Sequence, residues 1–350
     1  IMAKPKQSQS TKKKKISTSD QIKELEEELA KTKYNKRTQH HIGLIKAKIA
    51  KLKDKQIQRA SIGKASGIGY SVKRSGDATV VLLGFPSVGK STLLNSLTNA
   101  DSPIGAYDFT TLDVIPGMLR FNSAKIQVLD VPGIVHGAAS GRGRGKEVLQ
   151  VIRTADLILI IVDVFHPEHN RAILKEVYET GVRLNQRKPD VKIKKTVKGG
   201  IKVSSTVKMT KIDKQTIKLV LNEFRLINAD VVIRENITVD QLIDVIESNK
   251  CYIPSITIVN KIDMVSENVI ESVNNIVKPD IMISAGKGLN INELKELIFR
   301  SLNFIRIYLK ESGKKPDMDE PLIMSFGDTL KDLCLKLHRD FVDKFRFARI

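Results

Sequence analysis

Four short, nearly uninterrupted apolar runs punctuate the chain: Ala78-Thr-Val-Val-Leu-Leu83, Lys125-Ile-Gln-Val-Leu129, Leu157-Ile-Leu-Ile-Ile-Val162 and Ile256-Thr-Ile-Val259. Runs of this length, rich in β-branched residues, read as strands buried on both faces. Helical patterns lie between them, the first opening at Ser91 in STLLNSLTN. Strands alternating with helices predict an α/β fold, a doubly wound and mostly parallel sheet whose ligand sits at the C-terminal ends of the strands. Residues 70–183 and 248–302 are assigned to this domain.

Other patterns flank and interrupt it. Residues 1–16 lack apolar periodicity and are expected to be a disordered basic tail. From Thr18-Ser-Asp-Gln21, a capping-box start, Ile22, Leu25 and Leu29 follow at helical spacing. A second helix from about Thr38 places Ile42, Ile45, Ile49 and Leu52 on one face, so residues 17–65 read as a basic helical hairpin. Ser66-Gly-Ile-Gly-Tyr70 is a linker. Residues 184–247 break the strand–helix rhythm and predict a small α+β insertion: a β-hairpin around Gly199-Gly200, then two helices around a strand at Asp230–Arg234. Residues 303–350 open a further strand pattern at Phe304.

Composition narrows the class of protein. No run of eighteen apolar residues occurs, so a membrane span is not expected. The lysine-rich N-terminus has no signal-type apolar core. Cys251 and Cys334 stand far apart in neither metal nor redox spacing, which suits a cytoplasmic location. The net charge is +20, and residues 1–65 hold 18 Lys/Arg against 6 Asp/Glu. Charge concentrated in this way favours a polyanion, with ribosomal or other structured RNA expected rather than DNA. A merely solubilising basic face is the alternative.

The chemistry starts at GFPSVGKST, residues 84–92, which fits the phosphate-loop pattern through Gly84, Gly89, Lys90 and Ser91. Backbone N–H groups freed by the two glycines face phosphate oxygens, Lys90 reaches the β- and γ-phosphates, and the Ser91 hydroxyl ligates Mg²⁺. Asp130-Val-Pro-Gly133 follows a buried strand; Asp130 can hold Mg²⁺ through its water shell, and Gly133 lets an N–H approach the γ-phosphate. In Asn260-Lys-Ile-Asp263, Asp263 can accept from both the ring N1–H and the 2-amino group of guanine, which adenine lacks. Asn260 and Lys261 brace the loops, and Ser284-Ala285 adds a backbone N–H for the guanine carbonyl. Thr110-Thr111 supplies a hydroxyl, Thr111 by preference, that closes on Mg²⁺ only when the γ-phosphate is present. Ile134 stands where many GTPases carry a water-orienting glutamine, so that group must come from elsewhere in the chain, from a cation or from a partner protein. These motifs predict GTP/GDP and Mg²⁺ as ligands, with Lys90, Thr111 and Gly133 nearest the reaction.

GFPSVGKSTLLNSL, YDFTTLDVIPG, LDVPGIVHGAASGRGRGKEV and IVNKID together resemble the developmentally regulated GTP-binding proteins of the Obg GTPase family. The likeness extends to KTKYNKRTQHHIGLIKAKIAKLK, to GVRLNQRKPDVKIKKTVKGGI, where the family carries an insertion similar to a ribosomal-protein fold, and to RIYLKESGKKPDMDEPLIM. The last implies the start of a TGS module, a ubiquitin-like β-grasp, incomplete here because the chain stops at Ile350. By position the resemblance implies nucleotide contacts at Pro86, Ser87, Val88, Gly89, Lys90, Ser91, Thr92, Thr111, Asp130, Gly133, Asn260, Lys261, Asp263, Ser284 and Ala285. It makes K⁺ a candidate accessory cation, with Ser87 where potassium-activated enzymes often carry asparagine. The function implied is a cytosolic Mg²⁺-dependent GTP hydrolase that docks on the ribosome or another RNA particle. A nucleotide-regulated RNA adaptor with negligible turnover is the alternative.

Overall fold

The computed structural model describes residues 17–33, 35, 37–62, 75–98, 115–131, 151–310, 313–338, 340–344 and 346. The expectations for the 1–16 tail, the 66–70 linker, Thr110, Thr111, Gly133 and Ile134 lie outside them. Among the described residues no helix is long and apolar enough to cross a membrane. The chain divides into two compact units, Ile68–Arg187 with Lys250–Ile350, and Ile1–Gly67 with Lys188–Asn249.

The larger unit is built on a six-stranded sheet. Its strands are β1 (Ala78–Leu83), β2 (Ile115–Phe121), β3 (Ala124–Asp130), β4 (Leu157–Asp163), β10 (Ser255–Asn260) and β11 (Ile281–Met282), in the order β11-β10-β4-β1-β3-β2. All neighbours are parallel except the β2–β3 hairpin at the edge. A short parallel pair, β5 (Val182–Leu184) with β9 (Cys251–Ile253), stands where the chain leaves this unit and where it returns. Every residue of β1 and β4 is buried, which is why both read as unbroken apolar runs. Alternate residues feed two cores. Val81, Leu83, Ile158, Ile160 and Val162 pack with Ile173 and Val177 of α4 (His169–Glu179) and with Val273 and Val277 of α7 (Glu267–Val277). On the other face Val80, Leu82, Leu157, Leu159 and Ile161 meet Leu93, Leu94 and Leu97 of α3 (Lys90–Leu97) and Leu294 and Ile298 of α8 (Ile291–Ser301). The result is the doubly wound α/β architecture expected. Toward the C-terminus, β12 (Phe304–Ile307) pairs antiparallel with β13 (Leu322–Ser325), and α9 (Leu330–Leu337) follows.

The smaller unit joins the N-terminal helices to the insertion. Helix α1 (Thr18–Lys31) starts one residue earlier than the predicted capping box: Ser17 is the cap and accepts from the Asp20 N–H. The apolar stripe of α2 (Gln39–Ile62) packs on α1 through Ile22, Ile45 and Ile49. A second face of α2, made of small residues, was not read from the sequence. Ala47 is fully buried against Ile217, Val220 and Leu221 of α5 (Lys214–Glu223) and Leu242 and Ile243 of α6 (Val239–Glu247). Polar ties line the same contact: Lys46 Nζ to Asp240 at 2.6 Å, Lys51 Nζ to the Glu223 carbonyl at 2.7 Å, and Gln39 Nε2 to the Lys211 carbonyl at 2.9 Å.

The hairpin expected around Gly199-Gly200 does not form as a pair. Strands β6 (Val191–Lys195) and β7 (Ile201–Ser205) flank β8 (Ala229–Ile233), antiparallel to the first and parallel to the second. Five residues separate β6 from β7, more than the two that close a tight hairpin and enough to cross two strand spacings, about 9.5 Å. The loop arches over Asn228, which accepts from the Gly200 N–H at 2.9 Å and donates Nδ2 to the Val197 carbonyl at 3.2 Å. Lys192 and Lys194 of β6 and Lys202 of β7 are exposed, while the residues alternating with them face the core.

Candidate nucleotide site

Adjacent parallel strands deliver polar residues to one edge of the sheet, each immediately after its apolar run is used up. β1 ends at Leu83 and passes into the loop at Gly84; β3 ends on Asp130, β4 on Asp163, and β10 on Asn260, which is in register with Asp163. Asp130, Asp163 and Asn260 are themselves buried at these strand ends.

The loop between Leu83 and Lys90 is held in conformations that ordinary residues avoid. Ser87 sits at φ 63° and Gly89 at φ 93°. A Cβ on Gly89 would collide with Asn260 Nδ2, so glycine is required there by space as well as by φ. Asn260 ties the loops together: its Nδ2 donates to the Val88 carbonyl at 2.9 Å and its Oδ1 accepts from the Ala285 N–H at 3.0 Å. Lys261, at φ 68°, reaches back so that Nζ donates to the Ser87 carbonyl at 2.8 Å and to Asp163 Oδ2 at 2.6 Å. Strained backbone held in place by this many bonds is characteristic of a built site.

Lys90 Nζ donates to the carbonyls of Phe85 at 3.0 Å and Gly84 at 3.2 Å, which holds the cation at the mouth of the loop. Burial lowers its pKa, and the charge of Asp130 works against that shift. Ser91 Oγ donates to Asp130 Oδ2 at 2.8 Å. Asp130 is 5% exposed, and its Oδ1 is buried with no hydrogen-bond partner among the described residues. A buried carboxylate oxygen without a partner, beside a hydroxyl at a helix N-terminus, is the donor set that a hard divalent cation with a water shell completes. Mg²⁺ therefore fits these residues.

At the other end of the edge, the Asp263 carboxyl is held below the usual carboxylate range, chiefly by hydrogen bonding to the Ser284 side chain. Lys287 adds to this, its Nζ lying 3.7 Å from Asp263 Oδ2. Ser284 is buried, and Ser96 Oγ from α3 donates to the Ala285 carbonyl at 2.9 Å. Gly84, Pro86, Ser87, Val88, Gly89, Lys90, Ser91 and Thr92 thus lie on one loop and helix start, with Asp130 beside them and Asn260, Lys261, Asp263, Ser284 and Ala285 along the same edge. A backbone N–H from Ser284-Ala285 was expected for a base carbonyl; that of Ala285 bonds to Asn260. Two residues were missed. Asp163 closes an apolar run just as Asp130 does, a signal present in the sequence. Lys287 is recognisable only once folding brings it to Asp263.

Residues 79–195 match the family described as 50S ribosome-binding GTPase, and residues 198–304 match the one described as the C-terminal region of the MMR_HSR1 domain. The chain is 55% identical to an uncharacterized GTP-binding protein of Methanocaldococcus jannaschii, over 95% of this chain and 85% of that one. It is 44% identical to Ribosome-interacting GTPase 1 of Saccharomyces cerevisiae and 40% identical to Developmentally-regulated GTP-binding protein 2 of Homo sapiens, in each case over 95% of this chain and 91% of the relative. Among solved structures it is similar to Era of Aquifex aeolicus, at TM-score 0.34 and 21% identity over 79% of this chain and 70% of that one.

Proposed function

The chain belongs to the developmentally regulated GTP-binding proteins, a family of GTPases, and from that premise we propose that it is a Mg²⁺-dependent cytoplasmic switch whose bound nucleotide controls docking on the ribosome or another structured RNA. The observation that carries the nucleotide half is the buried, unpaired Asp130 Oδ1 beside the Ser91 hydroxyl. These two residues would hold Mg²⁺, which when bound supplies positive charge to the β- and γ-phosphate oxygens. Lys90 supplies a second cation already positioned by the Gly84 and Phe85 carbonyls, so little reorganisation is needed as charge develops. Asp263, kept ionised by Ser284 and Lys287, selects guanine. Thr111 and Gly133 are proposed to close on the γ-phosphate end. With Ile134 unable to orient water, a segment of this chain, a partner protein or a monovalent cation such as K⁺ does so. Turnover compared in K⁺ and Na⁺ separates the cation from the other two.

The docking half is supported by charge and by relatives. The smaller unit carries helix α2, with six Lys/Arg against one Asp, together with the exposed Lys192, Lys194 and Lys202, which suits a phosphate backbone. The segment from residue 303, the proposed TGS start, is a second contact. The yeast relative is named for ribosome interaction. Ribosome co-sedimentation with GDP, with a non-hydrolysable GTP analogue and without nucleotide tests the reading. More protein should pellet with the analogue than with GDP; equal amounts in all three would refute a nucleotide switch.

A further inference from the structure

Between β4 and α4 the chain reads Asp163-Val-Phe-His-Pro-Glu-His-Asn170, and the nucleotide chemistry uses neither of its histidines. Two successive turns shape the segment: the His166 N–H donates to the Asp163 carbonyl at 3.0 Å, and the His169 N–H to the His166 carbonyl at 3.1 Å. One ligating atom from each of His166, Glu168 and His169 lies within 4.8 Å of the other two. His166 Nδ1 and Glu168 Oε1 are 3.2 Å apart. That is already close to the ~3.3 Å between neighbouring ligands on a tetrahedral ion with bonds of about 2.0–2.1 Å. Glu168 stands at the N-cap of α4 and makes no side-chain capping bond among the described residues.

The second observation is independent of that spacing. His169 Nδ1 is buried and has no hydrogen-bond partner among the described residues. Its ring is fixed by a stack on Phe85, with centroids 3.9 Å apart and planes 18° from parallel, and His166 stacks in turn on His169. A buried ring nitrogen left without a partner marks a place for solvent or an ion.

We propose that His166, Glu168 and His169 form a site for a borderline divalent transition metal such as Zn²⁺, separate from the Mg²⁺ position at Ser91 and Asp130. Two imidazoles and one carboxylate suit Zn²⁺, whereas Mg²⁺ demands oxygen ligands in near-octahedral array. Three protein ligands leave a coordination position open. Exposed His166 and Glu168 need only side-chain rotation to close on the ion, while His169 stays on Phe85. Because Phe85 and Gly84 hold Lys90 through their carbonyls, a bound ion braces the phosphate loop from outside.

The test uses untagged full-length protein, stripped with a chelator and then saturated with Mg²⁺ and GDP. It is titrated with Zn²⁺ by calorimetry and with Co²⁺ by visible absorption. One equivalent should bind in the presence of excess Mg²⁺. His166→Ala/Glu168→Gln should weaken it at least about tenfold and leave GDP affinity unchanged. His169→Ala should do the same to the ion, and the exposed double variant keeps the test valid if loss of the Phe85 stack impairs folding. Absence of a stoichiometric ion, or full affinity in the double variant, would overturn the proposal; the latter would move the ion to Cys251, Cys334 or another histidine. Neither outcome touches the guanine site, whose own failure shows in GDP binding.

Discussion

At the residue scale the site depends on atoms that are already committed to one another. Asp263 is the clearest case. Replacing it with asparagine offers a donor where the carboxylate accepted, so Asp263→Asn should weaken GTP binding by at least about thirtyfold and admit xanthosine triphosphate, measured by competition binding. Its charged form is the stabilised one in the folded protein. The stability it contributes is therefore complete above the ordinary carboxylate pKa and lost only as pH falls through its lower folded value. The GTP-over-ATP preference should accordingly be flat between about pH 5 and 8; a preference that titrates there would point to a histidine instead. Lys90→Ala and Ser91→Ala should each lower turnover by at least about a hundredfold in single-turnover assays, the first by removing the cation held by the loop carbonyls, the second by removing the hydroxyl beside Asp130. These residues were legible because chemistry constrains their spacing. Ser284-Ala285 was legible as part of the candidate site, but the bond of the Ala285 N–H to Asn260 was not, since a backbone N–H leaves no trace in composition.

At the element scale, legibility follows the strength of the side-chain signal. Strands buried on both faces announce themselves, and β1, β3, β4 and β10 lie where their apolar runs predict. Helix α2 hides half its role, because Gly43, Ala47 and Ala50 register weakly in any apolar pattern while allowing close approach. A Cβ at Gly43 would lie 2.7 Å from Thr216 Cγ2, on a fully buried, β-branched side chain that bonds His40 Nδ1 at 2.7 Å. Gly43→Ala gains about 1 kcal/mol of helix propensity, but the overpacking costs about 1–3 kcal/mol and Thr216 has no free rotamer to yield. The expected outcome is a net loss of about 1 kcal/mol and a lower melting temperature; a more stable variant would show that α2 and α5 can part freely. The β6–β8–β7 order was illegible for a different reason. Alternation gives the face of a strand and says nothing of its neighbour, and the bond that holds the intervening loop comes from an asparagine 28 residues beyond Gly200.

At the scale of the whole molecule, the charge distribution was plain in the sequence but the body carrying it was not. Removing residues 1–65 would strip Ala47 from the insertion core, so truncation confounds charge with folding. Replacing Lys192, Lys194 and Lys202 with glutamine avoids this. If they meet phosphates, the slope of log affinity against log salt for ribosome binding should fall by about 0.7–0.9 for each phosphate no longer neutralised, while GTP affinity stays constant. An unchanged slope would leave those lysines a solubilising role. The two-segment make-up of each unit has a further consequence, for synthesis. Helices α1 and α2 leave the ribosome early, yet the partners of Ala47 lie beyond residue 212, and the sheet of the larger unit lacks β10 and β11 until the chain passes Met282. Neither unit can close locally, so both carry the loop-closure entropy of long, interleaved segments. A nascent chain arrested near residue 185 holds most of the larger unit's core but, of the insertion core, only Ala47 among its buried residues, and its apolar faces are uncovered. Such chains should be cut by protease at α2 and bound by chaperones, and protection should arrive in two steps as first Asn249 and then Ser301 are added.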